Sequence, residues 1–300
     1  MPRSRFKRPE GQELPGLRLQ ERDIEILDLC YQHRFLSSEQ IYALAGGSPH
    51  RLKQRLQLLW LHRFLDRPPE AQILQIRDDM RYLIYALGDK GAKVLSERKG
   101  YDLEKIRWSR KNEQVRFPYL KHAIKISQFY TCLELALREE PDLQLSKWQQ
   151  GKKIHDRIEL PPYIRFEQVR TDQPTIRPDA LFSLSYPKEE KRQYFFLEMD
   201  LGTVRESSML TRYRKYWAYW EQKRFTSQGI PEELGFRVLT VSYHPQRAQN
   251  LRNLIKEHEP WRGKTSMFYF TNEQWTIENP RPILSSWLTA KDEKLHSLKD

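Results

Sequence analysis

Apolar residues recur at helical spacing from Asp23 to Phe35, where Ile24, Leu27 and Cys30 with Tyr31 fall on one face. A second, shorter helix is expected through Ala45, capped by Ser37 or Ser38, because a serine oxygen accepts the free amides of a first helical turn. Gly46-Gly47 ends it. Ser48-Pro49 is the strongest start signal in the chain, an N-cap followed by proline at the first helical position. The third helix then reaches about Phe64, with Leu52, Leu56, Leu59 and Phe64, and Trp60 beside them, as its buried stripe. After Pro68-Pro69, Gln72–Ile76 and Met80–Leu87 alternate as two strands around Asp78-Asp79, and a capped helix starts at Asp89. Helix, helix, helix, hairpin, helix is the order of a winged helix-turn-helix.

From Gly100 to Phe117 the chain is charged and weakly periodic, which reads as a linker or a partly helical spacer. Pro118–Arg138 is a long helix bearing Leu120, Ala123, Ile124, Phe129, Tyr130, Leu133 and Leu137, ended by Pro141. Strands are expected at Leu143–Trp148, Ile164–Val169, Asp179–Tyr186 and from Tyr194 on. The last of these strands ends in Glu198-Met-Asp200-Leu-Gly-Thr203. An aromatic-rich helix covers Glu206–Lys223, followed by a strand at Phe236–Tyr243, a helix from Pro245 to His258 and a short strand at Met267–Phe270. This second half reads as an α/β arrangement, a mixed sheet covered on both sides.

Charge changes the picture first. The net charge is +12, with 52 Lys and Arg against 40 Asp and Glu, which favours a polyanionic partner over a neutral one. Both halves share the excess, 23 cations against 16 acids through Pro118 and 29 against 24 beyond it, so it is not a basic tail. A soluble surface that is merely basic is the plain alternative. The 8 Trp, 15 Tyr and 13 Phe supply ample core, which excludes a disordered chain. Cys30 and Cys132, the two cysteines, sit in apolar helical patterns and read as reduced core residues, and no run is long enough to span a bilayer. No signal peptide is recognisable at the start, so a cytoplasmic location is expected.

No Asp or Glu occurs between Glu39 and Asp66, while Arg51, Lys53, Arg55 and Arg63 all do. An acid-free helix with Arg, Gln and Lys near its N-terminus suits a major-groove reader, since Arg pairs bidentately with guanine and Gln with adenine. The residues expected to bind DNA are His50, Arg51, Lys53, Gln54 and Gln57, with Arg77 and Arg81 at the hairpin tip anchoring the backbone. The alternative is the same fold used for protein contacts.

Arg177-Pro-Asp179 begins one strand, and Glu198-x-Asp200 ends the next. If the two form an antiparallel hairpin, Asp179, Glu198 and Asp200 fall at one edge of the sheet, the last two on one face. Three converging carboxylates repel one another unless a divalent cation lies between them, and oxygen ligands of this kind suit Mg²⁺ or Mn²⁺. Three strand-end carboxylates, solvated or salt-bridged to Arg177 and Arg205, are the plain alternative. Glu134 on the preceding helix is a candidate fourth ligand, or an ordinary exposed glutamate. His244-Pro-Gln-Arg247 has the HxxR spacing of tyrosine recombinases without the rest of that constellation, and no P-loop, CxxC pair or HxH motif is present. The aromatic helix at Tyr213–Trp220 offers surfaces on which unpaired bases stack, although an aromatic stripe at this spacing reads more readily as core.

At the acidic residues the chain resembles the PD-(D/E)xK nuclease superfamily. It resembles more closely the bacterial replication-relaxation family through Arg177-Pro-Asp-Ala-Leu181, Phe195-Phe-Leu-Glu-Met-Asp-Leu-Gly-Thr203 and Arg212-Tyr-Arg-Lys-Tyr-Trp-Ala-Tyr219, with His122 and Phe129 also matching. The resemblance spans about Leu17 to His258. It implies an N-terminal winged helix followed by a restriction-endonuclease-like mixed-sheet domain, and a similarity to plasmid relaxases that nick DNA. In that case Asp179, Glu198 and Asp200 bind Mg²⁺ or Mn²⁺ and serve catalysis. The superfamily's lysine falls at position 200, which is Asp here, so Arg212 or Lys215 on the next helix becomes the candidate cation.

The expected organisation is a flexible basic arm (1–16), a winged helix DNA-binding domain (17–99), a linker (100–117), a nuclease-like α/β domain (118–275) and a polar C-terminal tail (276–300). Two functions stay open. One is a metal-dependent DNA endonuclease or nickase of plasmid or mobile-element replication, relaxation or mobilisation. The other is a non-catalytic DNA-binding adaptor or transcriptional regulator with a degenerate nuclease fold. The partners expected are double-stranded DNA, other replication or mobilisation proteins and a second copy of the chain in a homodimer.

Overall fold

The computed structural model describes residues 7–9, 11, 13–69, 82–159, 161, 174–258 and 265–299. Contacts divide the chain into two compact units, 1–131 and 132–300. The protein combines helices with a mixed seven-stranded sheet, an α+β organisation.

In the first unit, α1 (Glu21–His33) begins with Asp23 accepting the Gln20 amide at 2.7 Å. Of the two serines expected to cap α2 (Ser38–Ala45), Ser37 does so: its Oγ accepts the Gln40 amide at 3.1 Å, and the Gln40 side chain accepts the Ser37 amide at 2.8 Å. Gly46 ends this helix at a φ of +64°, where a side chain is strained. Pro49 opens α3 (Pro49–Leu61). That helix stops three residues short of Phe64, because Arg63 turns the chain at a φ of +68°. Ile24, Leu27, Cys30, Leu52, Leu56, Leu59 and Trp60 form the core with Ala92 and Leu95 of α4 (Asp89–Lys99).

Strands β1 (Leu36–Ser37), β2 (Leu65–Asp66) and β3 (Ile84–Leu87) form an antiparallel sheet in the order β1-β3-β2. The first two have only two residues each, too few to show alternation. The expected strand at Gln72–Ile76, and the hairpin tip with Arg77 and Arg81, lie outside the described residues. Two short helices, α5 (Leu103–Ile106) and α6 (Ser109–Glu113), occupy the stretch read as a linker.

The next helix, α7 (Phe117–Arg138), is where the sequence pattern starts the second domain. Its first half packs instead in the first unit. Leu120, Ala123 and Ile124 meet Phe35, Ile84 and Ala86, and Ser127 Oγ donates to the Phe35 carbonyl at 2.8 Å. The apolar period of this helix is uninterrupted, so the pattern carries no mark of where its packing partners change.

The second unit holds the large sheet, in the order β12-β11-β10-β9-β8-β7-β4. Strand β7 (Ala180–Tyr186) runs antiparallel to both β4 (Gln144–Gln149) and β8 (Lys191–Asp200). Strands β9 (Arg237–Ser242) and β10 (Phe268–Asn272) continue parallel to β8. The order closes with β11 (Trp287–Thr289) and β12 (Leu295–His296), antiparallel, drawn from the stretch read as a polar tail. Ile283, Leu284, Trp287 and Leu298 there are buried, spaced too widely among polar residues to show as strands. A separate pair, β5 (Asp156–Arg157) with β6 (Thr175–Ile176), precedes β7. The expected strand Ile164–Val169 lies outside the described residues.

Helices α8 (Glu206–Glu221) and α9 (Pro245–Glu257) follow β8 and β9. Tyr213, Tyr216, Trp217, Tyr219, Leu251 and Ile255 from these helices form one core with Leu181, Phe196, Val238, Phe268 and Phe270 of the sheet. The aromatic stripe of α8 is thus largely core, because four of its rings point at the sheet. Among the described residues no helix is long and apolar enough to cross a membrane.

Candidate functional site

The β7–β8 hairpin sets the first relationship. Ala180 pairs with Leu197, and the Asp179 amide donates to the Leu197 carbonyl at 2.9 Å, which places Asp179 beside Glu198. Asp179 Oδ2 accepts the Met199 amide at 2.7 Å, fixing the carboxylate against the neighbouring strand. Glu198 and Asp200 are buried on one face, roughly 7 Å apart along the strand.

Each buried carboxylate has its own partners. Glu198 Oε1 accepts from the Tyr216 hydroxyl at 2.6 Å, and Oε2 accepts from Arg212 Nη1 at 3.0 Å. Arg212 and Tyr216 lie four apart on α8, one turn, so a single helix face supplies both. Asp200 Oδ2 accepts from Arg247 Nε at 2.9 Å, and Oδ1 accepts from the Gly202 amide at 3.3 Å. Arg247 is fixed further by the Val204 carbonyl at 2.6 Å and by Glu206 at 3.2 Å. The structure therefore brings Asp179 and Glu198 together and closes Asp200 into a separate ion pair. Among the described residues no group of three or more His, Cys, Asp or Glu side chains is placed to hold a metal ion.

Electrostatics separates the two carboxylate environments. Burial, and next the charge of Asp179, push the Glu198 carboxyl up to about 7 against the opposing pull of Arg212 and Tyr216. Tyr216 itself is raised well above its ordinary value, by burial and by Glu198. Lys215, the other candidate cation, is lowered by burial and by the nearby charges of Arg177 and Arg212, and it makes no ion pair among the described residues. His155 is lowered by burial, Arg177 and Lys152, with Asp179 opposing. Lys152, Arg177, Arg212 and Lys215 thus put positive charge around the Asp179–Glu198 pair. Glu134 is raised by burial and feels the charge of Arg138.

In the first unit, His50, Arg51, Lys53 and Gln54 are exposed along α3, and Gln54 hydrogen-bonds His50 at 3.1 Å. Arg51 and Lys53 make no hydrogen bond or ion pair among the described residues, so both charges face solvent. Gln57 is half-buried and accepts from Arg67 Nη2 at 2.5 Å. Arg55 is bound to the buried Asp23, its Nε 2.7 Å from Oδ1.

A family model described as replication-relaxation matches residues 27–233, more than two thirds of the chain. The chain belongs to the replication-relaxation family. No curated protein and no solved structure matches it. The span matched to the family contains α3, the β7–β8 hairpin and all of α8, hence Asp179, Glu198, Arg212 and Tyr216. Arg247, which neutralises Asp200, lies beyond it.

Sequence reasoning named Tyr216 and Arg247 within motifs but gave them no part at this site, and it did not single out His155. The four-residue step from Arg212 to Tyr216 was a usable signal, since both sit on one turn. Arg247 meets Asp200 across 47 residues, and no local pattern announces that contact.

Proposed function

We propose that this replication-relaxation protein binds duplex DNA during replication, relaxation or mobilisation of a plasmid or integrated element. Its first unit acts as a winged helix that reads the site, and its second acts as a PD-(D/E)xK-like domain that holds the same DNA. The observation that carries the reading is the exposed, acid-free face of α3, where Arg51 and Lys53 stand without partners beside Gln54. Such a face matches the acceptors of major-groove base edges and the phosphates that flank them. Family membership and the net charge of +12 support it. In this reading Arg212 and Arg247 neutralise the acidic edge, leaving Lys152, Arg177 and Lys215 as its outward charge. The protein works in the cytoplasm, alone or as a homodimer, beside other replication or mobilisation proteins. Titrating a labelled duplex from the protein's own genetic neighbourhood with wild type and Arg51→Ala/Gln54→Ala tests it. Equal affinity of the two proteins for every duplex contradicts it.

One observation favours a second reading, a metal-dependent nickase. Asp179 lies against Glu198 closely enough to raise its proton affinity, a repulsion that Mg²⁺ or Mn²⁺ relieves. Both oxygens of Glu198 already accept hydrogen bonds, so this reading requires Arg212 to move away from Oε2. Relaxation of supercoiled plasmid that needs both Mn²⁺ and Asp179 would establish it.

A further inference from the structure

A second candidate site lies at the other end of β8. A cavity of about 400 Å³ opens there, within the range of small-molecule sites. Its inner lining is aromatic: Tyr194, Trp217 and Phe236 are buried, and Trp220 is half-buried. Trp220 stacks on Trp217 with ring centroids 5.1 Å apart and planes inclined by 22°, so its indole is held in a fixed plane. The rim carries Lys191 and Arg192, both exposed, and the single acid Glu233. Arg192 makes no hydrogen bond or ion pair among the described residues. Lys147 lies close enough to feel its charge, which adds a cation behind it.

This is a distinct place. Arg192 is six residues from Glu198 along the same strand, roughly 20 Å. Four of the five rings on α8 between Tyr213 and Trp220 are buried core, whereas Trp220 borders open space. A flat indole beside an unpaired guanidinium offers two complementary contacts, a stacking surface for a planar ring and a charge for a phosphate. A purely apolar ligand leaves the cations unused, and a small anion leaves the aromatic lining unused. A base with its phosphate uses both.

We propose that this cavity takes an unpaired nucleotide, with the base against Trp220 and the phosphate on Arg192. The same chemistry comes from two sources, an unpaired stretch of DNA or a free nucleotide. The proposal stands apart from duplex reading by α3 and survives its failure.

The test uses the full chain and two probes, a labelled twelve-residue oligo-dT and dTMP as its competitor. Trp220→Ala should weaken oligo-dT binding roughly 5- to 150-fold, the range for loss of one stacked base. Trp220→Phe should retain most of the affinity. Arg192→Glu, an exposed change that leaves the core intact, should weaken binding and flatten its salt dependence, while duplex affinity stays unchanged in all three variants. Displacement of oligo-dT by dTMP, with the same dependence on Trp220, would support the site and make a free nucleotide sufficient. Oligo-dT binding that dTMP does not displace, yet that needs Trp220 and Arg192, would support it and assign the strand. If neither probe binds, or if Arg192→Glu and Trp220→Phe bind no differently from wild type while Trp220→Ala is folded and equally tight, the proposal is overturned.

Discussion

Arg247 donates Nε to the buried carboxylate of Asp200 at 2.9 Å, and this ion pair ties the end of β8 to the first turn of α9. The Asp200 side chain has no solvent exposure, so its charge rests on Arg247 and on the longer contacts from the Gly202 amide and the Ser242 hydroxyl. Removing the arginine leaves an uncompensated charge inside the protein. Arg247→Ala should therefore cost about 3–5 kcal/mol of stability. Adding Asp200→Asn to that variant should recover part of the loss. Urea unfolding of the single and double variants reads both values. A loss below about 1 kcal/mol would show that the pair is solvated.

Glu198 supplies a pH dependence with a definite sign. Its carboxyl is raised on folding from an ordinary 4.5 to about 7, so the folded protein holds this proton more tightly than the unfolded chain. Stability is then highest below the ordinary value and falls as pH rises through about 7. Glu198→Gln abolishes that titration. Relative to wild type, the variant should gain stability on the order of 1–3 kcal/mol between pH 5 and pH 8. Unfolding curves across this window measure the difference. A difference that is flat, or that favours wild type as pH rises, contradicts the assignment.

Arg55 is one of the cations of the acid-free stretch from Glu39 to Asp66, and it belongs to the fold. Its guanidinium binds Asp23, whose side chain is 1% exposed and which also accepts the Gln20 amide. Arg55→Ala should lower stability by about 1–3 kcal/mol, the cost of a buried acceptor left short of a partner. Thermal melting detects this, and duplex preference should not change. A change in base preference without a change in stability would put Arg55 on the reading face.

Lys53 and Arg51 stand exposed without partners, and the two are expected to differ in role. Lys53→Ala should weaken all duplexes alike and reduce the slope of log affinity against log salt by about 1. Arg51→Ala should cost about 1–3 kcal/mol at one base pair and relax preference there. Binding to a set of single-substituted duplexes at two salt concentrations separates them. If both changes act uniformly, α3 is a phosphate clamp only.

Local signals were legible and distant ones were not. Ser37 with Gln40 marks one helix start through hydrogen bonds within three residues, and Pro49 marks another through its fixed φ, although the Ser48 side chain makes no capping bond. The β7–β8 hairpin was legible because two largely apolar runs flank a charged turn, and its register sets Asp179 beside Glu198. The carboxylates' partners were not. Arg177 and Arg205 are the nearest cations in sequence, and Arg212 is reached only through the family resemblance, whereas the structure uses Arg212 and Arg247. Strand β8 is followed by α8 and then, across β9, by α9, and that packing decides which arginine reaches which acid. Strands β1, β2 and β12 have two residues each and exist only through their neighbours.

The first measurement to make is fluorescence anisotropy on duplex fragments from the protein's own genetic neighbourhood, comparing wild type with Arg51→Ala/Gln54→Ala at fixed salt. If α3 reads duplex DNA, wild type prefers one fragment, and the double variant loses that preference while keeping its weak, salt-sensitive binding to the others. Wild type that binds no duplex, or a double variant that keeps the full preference, would remove α3 as the reading element and with it the proposed function.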